Sequence, residues 1–215
     1  MNFLPDWPIL AAYTLTCVIL FITPGPDMSF FLAKTMSGGR RHGLAAMLGS
    51  NLGCVVHTTL AAVGLSALLA ASATAFTILK IVGALYLGWM AWDAIRNGSS
   101  LSVRQGEPPR HGAGRSFLMG ILVNLTNPKI VLFFVTFLPQ FISVSDPHAA
   151  AKLGFLGLYF VAISVPLGVL LVLAADRLLA GLRARPKALR MIDWVFGGMF
   201  AAFAVKILMT QTAGR

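Results

Sequence analysis

Charge is what this chain has least of. Only 11% of its 215 residues are Asp, Glu, Lys or Arg, against about 25% in an ordinary soluble domain. That is too few to cover a water-facing surface, so lipid must cover much of the chain. Acids are scarcest, at 7 against 17 basic residues, for a formal net charge of +10. In a soluble protein such an excess would point to nucleic acid. Here most Lys and Arg sit in three short clusters between apolar runs. Cytoplasmic loops of membrane proteins have this pattern, which suits an anionic lipid surface and not nucleic acid. Cysteine is nearly missing: Cys17 and Cys54 lie inside apolar runs, which excludes a disulfide framework and reads as two small buried hydrophobes. Also missing are a basic N-terminal segment and a small-residue cleavage site, so the first apolar run is expected to be a retained span. No His-Glu-x-x-His, Gly-x-Ser-x-Gly or phosphate-binding glycine loop occurs, so neither an enzyme nor a cofactor is expected.

Apolar sequence is abundant, at 57% of residues with a mean hydropathy of +0.81. A span needs about 20 apolar residues, and six are expected. They run from Trp7 to about Met36, Gly43 to Ala70, Phe76 to Ile95, Ser116 to Ile142, Leu153 to Ala175 and Met191 to Met209. The first, third and fifth intervening segments are basic. They carry Arg40, Arg41 and His42; then Arg96, Arg104, Arg110 and Arg115; then Arg177, Arg183, Arg185, Lys187 and Arg190. The second has no charge, and the fourth has Asp146 and Lys152. This alternation puts the basic segments in the cytoplasm and both termini outside. The Gly-, Ser-, Pro- and Arg-rich stretch 96–115 reads as a cytoplasmic linker between three-helix halves at 1–95 and 116–215.

Two spans are interrupted. Ile22-Thr23-Pro24-Gly25-Pro26, followed by Phe30-Phe31, breaks the first, and Leu125-Thr126-Asn127-Pro128-Lys129, followed by Phe133-Phe134, breaks the fourth. Each break lies in the first span of its half. Three spans is an odd number, so the second half must enter the membrane from the opposite face. The expected fold is therefore an all-α membrane protein of two inverted three-helix repeats with a site between the broken helices. Proline removes a backbone donor and clashes with the preceding turn, so Pro24, Gly25, Pro26 and Pro128 open their helices, which bilayer depth tolerates only where protein or a polar cavity satisfies the freed groups. Asp27 and Lys129 lie beside the breaks, where a charge costs about 2.5–3.5 kcal/mol even on the lenient insertion scale. Two readings stand together: the residues pair with each other, or they hold the ammonium and carboxylate of a zwitterion. Gly49 and Gly53 have the spacing that lets helices approach closely. Asn51 and Asn124 are polar and deep, placed to hydrogen-bond the broken segments.

These residues resemble the LysE/RhtB family of amino-acid exporters. Thr23-Pro24-Gly25-Pro26-Asp27 looks like its N-terminal signature, and Asn127-Pro128-Lys129, with the run to Leu138-Pro139-Gln140-Phe141, looks like its second. Gly43, Gly49, Gly53 and the run from Lys80 to Gly88 are similar to its second and third spans. The resemblance implies export of amino acids or close derivatives across a bacterial inner membrane, driven by protons or another coupling ion. It carries functional roles onto Pro24, Gly25, Pro26, Asp27, Asn127, Pro128 and Lys129. With Asp27 the only deep acid, neutral substrates such as homoserine, threonine or leucine are favoured over lysine and arginine. A homodimer through glycine-rich faces of the second and sixth spans is a further expectation. Competing readings are a heavy-metal exporter using Cys54 and His57, which share a helix face but want a third ligand, and a thiol–disulfide electron carrier using Cys17 and Cys54.

Overall fold

The computed structural model describes residues 5–97, 111–142 and 146–175, with a few helical positions between Arg190 and Val205. Most of the expected linker, the fifth basic segment and most of the sixth span lie outside the described residues. Every regular element among the described residues is helical. α1 (Trp7–Ile22) stops three residues short of α2 (Pro26–Leu60). A π-helical turn at Ala61–Leu65 leads into α3 (Ser66–Ala71), then α4 (Ala73–Asn97). α5 (Ala113–Leu125) and α6 (Pro128–Leu132) continue through a π turn at Phe133–Phe137 and a 3-10 turn at Leu138–Phe141. α7 (Ala149–Leu173) follows.

α2 is not straight. Gly39 has φ +75° and ψ 178° inside it, a conformation open in practice only to glycine. A Cβ at Gly43 would overlap the side chain of Thr35, although eight residues along one straight helix are about 12 Å apart. The chain therefore folds back at Gly39, giving a first arm (26–38) against a second (40–60). The expected first loop shrinks to this one residue, and Arg40 and Arg41 become the start of a helix. Of the described helices, Pro26–Leu68 and Ala149–Leu173 are long and apolar enough to cross a membrane, and Ala113–Leu125 with Pro128–Phe141 forms a pair bent by 53°. The fold-back divides the first of these, and its short first arm continues α1 across the break.

Close backbone approach joins the halves. A Cβ at Gly49 would strike the Phe117 carbonyl, and one at Gly120 the Ala46 carbonyl. The second arm of α2 and α5 thus run parallel with backbones in contact, the mode that replaces hydrophobic driving force between helices in lipid. Gly49 and Gly53 both make this internal contact. α7 runs antiparallel to the same arm, with Gly168 against Met47 and Gly157 against Thr58. His42 Nε2 lies 3.2 Å from the His111 carbonyl and an Arg40 nitrogen 3.4 Å from the Leu173 carbonyl. The fold-back, the start of α5 and the end of α7 therefore share one end of the bundle, with Arg40, Arg41 and Arg115.

Two apolar clusters fill the interior. Met28, Phe31, Leu32, Ala46, Met47 and Val172 pack toward the basic end. Tyr13, Leu20, Phe133, Phe134, Phe137 and Phe160 pack toward the other. Tyr13 meets Phe141 edge-on at 5.0 Å and donates to the Leu156 carbonyl at 2.9 Å. Such aromatic pairs add about 0.5–1.5 kcal/mol beyond area burial. Leu15, Leu60, Val63, Trp92, Leu118 and Leu170 point outward, each at least 60% exposed, the apolar exterior that suits lipid.

Candidate functional site

The site is built from the two helix breaks. α1 ends where Pro24 removes the donor that Leu20's carbonyl would need, and α2 begins with Gly25 at its N-cap and Pro26 in its first turn. α5 ends at Leu125, and α6 begins with Pro128 after the N-cap Asn127, whose side-chain oxygen accepts from the Lys129 backbone N–H at 3.0 Å. Pro128 likewise strips the Asn124 carbonyl of its helical donor, and the Asn127 N–H replaces it at 3.0 Å. Aligned by their helix starts, Pro26 matches Pro128, Asp27 matches Lys129 and Phe31 matches Phe133.

Each charge reaches across into the other break. Asp27 accepts from Asn124 Nδ2 at 2.5 Å and from Asn127 Nδ2 at 2.8 Å. Lys129 Nζ donates to the Thr23 carbonyl at 2.8 Å and the Leu20 carbonyl at 3.2 Å. The Leu20 carbonyl is the one freed by Pro24, and Thr23 is the C-cap of α1. The lysine therefore satisfies the open helix and sits at its partly negative C-terminus, while Asp27 lies in the first turn of α2, at a partly positive end. Asp27 and Lys129 do not pair directly; among the described residues the ion pair is Lys152 with Asp146. Neutral amides and carbonyls hold the two charges instead, which corrects the pairing expectation. Charge-assisted bonds of this kind are roughly twice as strong as neutral ones.

Spare capacity remains. An ammonium has three donors, and Lys129 uses two on protein. A carboxylate offers about four acceptor positions, and Asp27 fills two. Both line a cavity of about 50 Å³ with Asn124, Asn51, Ser50, Cys54, Ser164 and apolar side chains of both clusters. At about 10–15 Å³ each it has room for three to five waters. Gly25 and Gly53 clear the space. A Cβ at Gly25 would stand 3.0 Å from Lys129 Nζ, and one at Gly53 2.5 Å from Asn124 Oδ1.

Asn51 departs from expectation. It bonds no broken segment; its amide donates to the Met47 carbonyl at 3.0 Å, and its oxygen accepts from Ser164 of α7. Ser50 and Ser164 escaped the sequence reading because an isolated serine in an apolar run carries no pattern. The Leu20 carbonyl was legible in principle, four residues before Pro24. Cys54 lies against Asn124, its sulfur 3.4 Å from Nδ2, and His57 stacks on Phe134 with centroids 5.5 Å apart. No group of three or more His, Cys, Asp or Glu side chains placed to hold a metal occurs among the described residues.

A family model described as LysE type translocator matches residues 18–211. The chain is 35% identical over 145 residues to an uncharacterized membrane protein of Vibrio cholerae, covering 66% of this chain and 69% of the relative. It is 31% identical over 189 residues to the homoserine/homoserine lactone efflux proteins of Salmonella typhimurium and Salmonella typhi, covering 88% of this chain and 90% of each relative. No solved structure matches.

Proposed function

The chain belongs to the LysE type translocator family, and on that premise we propose that it is a secondary exporter of neutral amino acids or close derivatives, driven by a proton gradient across a bacterial inner membrane. The observation that carries this reading is the crossed pair of charges: Asp27 in the second break and Lys129 in the first, each with unused hydrogen-bonding capacity toward one cavity. The free Lys129 donor suits an α-carboxylate, and the open Asp27 positions suit an α-ammonium. One acid and one base make a net-neutral site, which matches a net-neutral substrate. A lysine side chain would bring a second cation, and among the described residues the cavity lining has no second acid for it. The efflux proteins of Salmonella, named for homoserine and its lactone, agree with a small neutral substrate.

The exchange of charges between the breaks supports two inverted three-helix repeats. Asp27 and Lys129 hold equivalent places, each bonded to the other half, as a pseudo-two-fold axis in the membrane plane would require. Six spans, with the basic end cytoplasmic and both termini outside, fit that arrangement and the positive-inside rule. The apolar clusters on either side of the cavity are suited to serve as alternating gates, since a site near the midplane must open to one face at a time. The test is export of labelled homoserine, threonine, leucine, lysine and arginine from vesicles holding the purified protein, with and without a proton gradient. Uphill export of neutral members only is expected. Transport of lysine alone, or of none, overturns the reading.

A further inference from the structure

His57 is a buried, titratable side chain outside the lining of the cavity. It lies on the second arm of α2, about 25 Å along the helix from Arg40 at 1.5 Å per residue. It is 8% exposed, and its Nε2 is buried without a hydrogen-bond partner. Its ring stacks on Phe134 at an interplanar angle of 20°. One turn earlier Cys54 touches Asn124, and Asn124 bonds Asp27. A phenylalanine or leucine would fill this space without stranding a nitrogen, so a purely structural histidine is the costlier choice. Histidine is also the side chain whose charge changes near physiological pH.

We propose that His57 is the binding station of the coupling ion, taking a proton on Nε2 in alternation with substrate at Asp27; this rests on the zwitterion reading of the cavity. When His57 is neutral, Asp27 is free to hold the substrate ammonium. A proton arriving from the side opposite the basic end makes an imidazolium beside the Asn124–Asp27 cluster. That second cation competes with the ammonium for the same carboxylate and releases the substrate. The proton leaves Nε2 toward the basic end when the site returns and a new zwitterion loads, so one proton enters for each substrate exported. Asp27 is the charge that acts on the His57 ring, and the Asn124 backbone is its other polar neighbour. α5 presents neutral Asn124 at this level. α7 presents Tyr159, within 2.9 Å of the Thr14 hydroxyl, and Lys152, paired with Asp146.

The test compares wild type with His57→Asn and His57→Phe in vesicles. Exchange of labelled neutral amino acid at equal pH on both sides should persist in both variants, while stimulation by an inward proton gradient is lost. Gradient stimulation equal to wild type in either variant overturns the inference. So does loss of exchange in both, which would make His57 part of the substrate site or of the fold. A wild type that exchanges no amino acid refutes the zwitterion reading, and a second measurement separates the two. The ¹⁵N resonances of the His57 ring, assigned by their absence in His57→Asn, should titrate in detergent micelles and shift their midpoint in Asp27→Asn. A ring that stays neutral throughout pH 5–8 overturns the proton station.

Discussion

Asp27→Asn separates function from folding, because the geometry lets asparagine take the same place. Asp27 accepts one amide from Asn124 and one from Asn127. Asn127 is fixed in orientation, since its oxygen caps the Lys129 N–H at 3.0 Å, so it still donates to the new side-chain oxygen. Asn124 can turn its amide to offer an oxygen to the new NH₂. Both bonds survive in neutral form. A bond to a charged group contributes about 1.5–3 kcal/mol and a neutral one about 0.5–1.5, so the two together lose about 2–3 kcal/mol. Removing a charge from bilayer depth returns about 2.5–3.5 kcal/mol. The terms cancel to within about 1.5 kcal/mol. Thermal unfolding in detergent should therefore match wild type, while uptake and exchange of labelled neutral amino acid in vesicles fall to background. Wild-type transport by Asp27→Asn would remove the carboxylate from the mechanism. A variant that cannot insert or unfolds far below wild type would show that the amide network does not hold as described.

Three further outcomes follow from the same geometry. Gly53→Ala places a Cβ 2.5 Å from Asn124 Oδ1 and 2.8 Å from its Cβ, so Asn124 must leave Asp27; a loss of about 1–3 kcal/mol and of transport is expected, whereas Gly64→Ala, which meets open space, should leave both intact, and equal behaviour of the two in melting and transport assays would refute the packing argument. Lys129→Met strands the Leu20 and Thr23 carbonyls at about 1–3 kcal/mol each, partly offset by removal of a buried charge; export should vanish, and Lys129→Arg should not restore it because a planar guanidinium cannot reproduce the compact ammonium that meets both carbonyls, so transport by either variant in vesicles counts against the site. Outside the membrane, the Lys152 ammonium, then the His148 N–H, hold the Asp146 carboxyl below its usual range, so the stability they add is complete above the ordinary carboxylate value of about 4 and fades as pH falls through the lower folded value; Lys152→Met should raise the Asp146 midpoint in an NMR titration, and an unmoved midpoint would refute the contact.

Local sequence was sufficient for whatever depends on a single residue's backbone chemistry. Proline cannot donate or continue a helix, so the ends at Ile22 and Leu125 and the restarts at Pro26 and Pro128 were legible. The apolar runs behind α4 and α7 were also legible, with ends displaced by two to four residues. So was the position of Asp27 and Lys129 in the first turns of the restarted helices, since each follows directly on a proline. Tertiary structure decided the partners. That Asp27 takes two amides and Lys129 two carbonyls, and not each other, depends on how the halves cross, which no spacing along the chain encodes. The fold-back at Gly39 depends on one positive φ, hidden among two adjacent glycines and a helical pattern on both sides. The glycines at 49 and 53 announced a close helix approach, but that it is made with α5, inside one chain, became visible only when the Phe117 carbonyl and Asn124 were found against them.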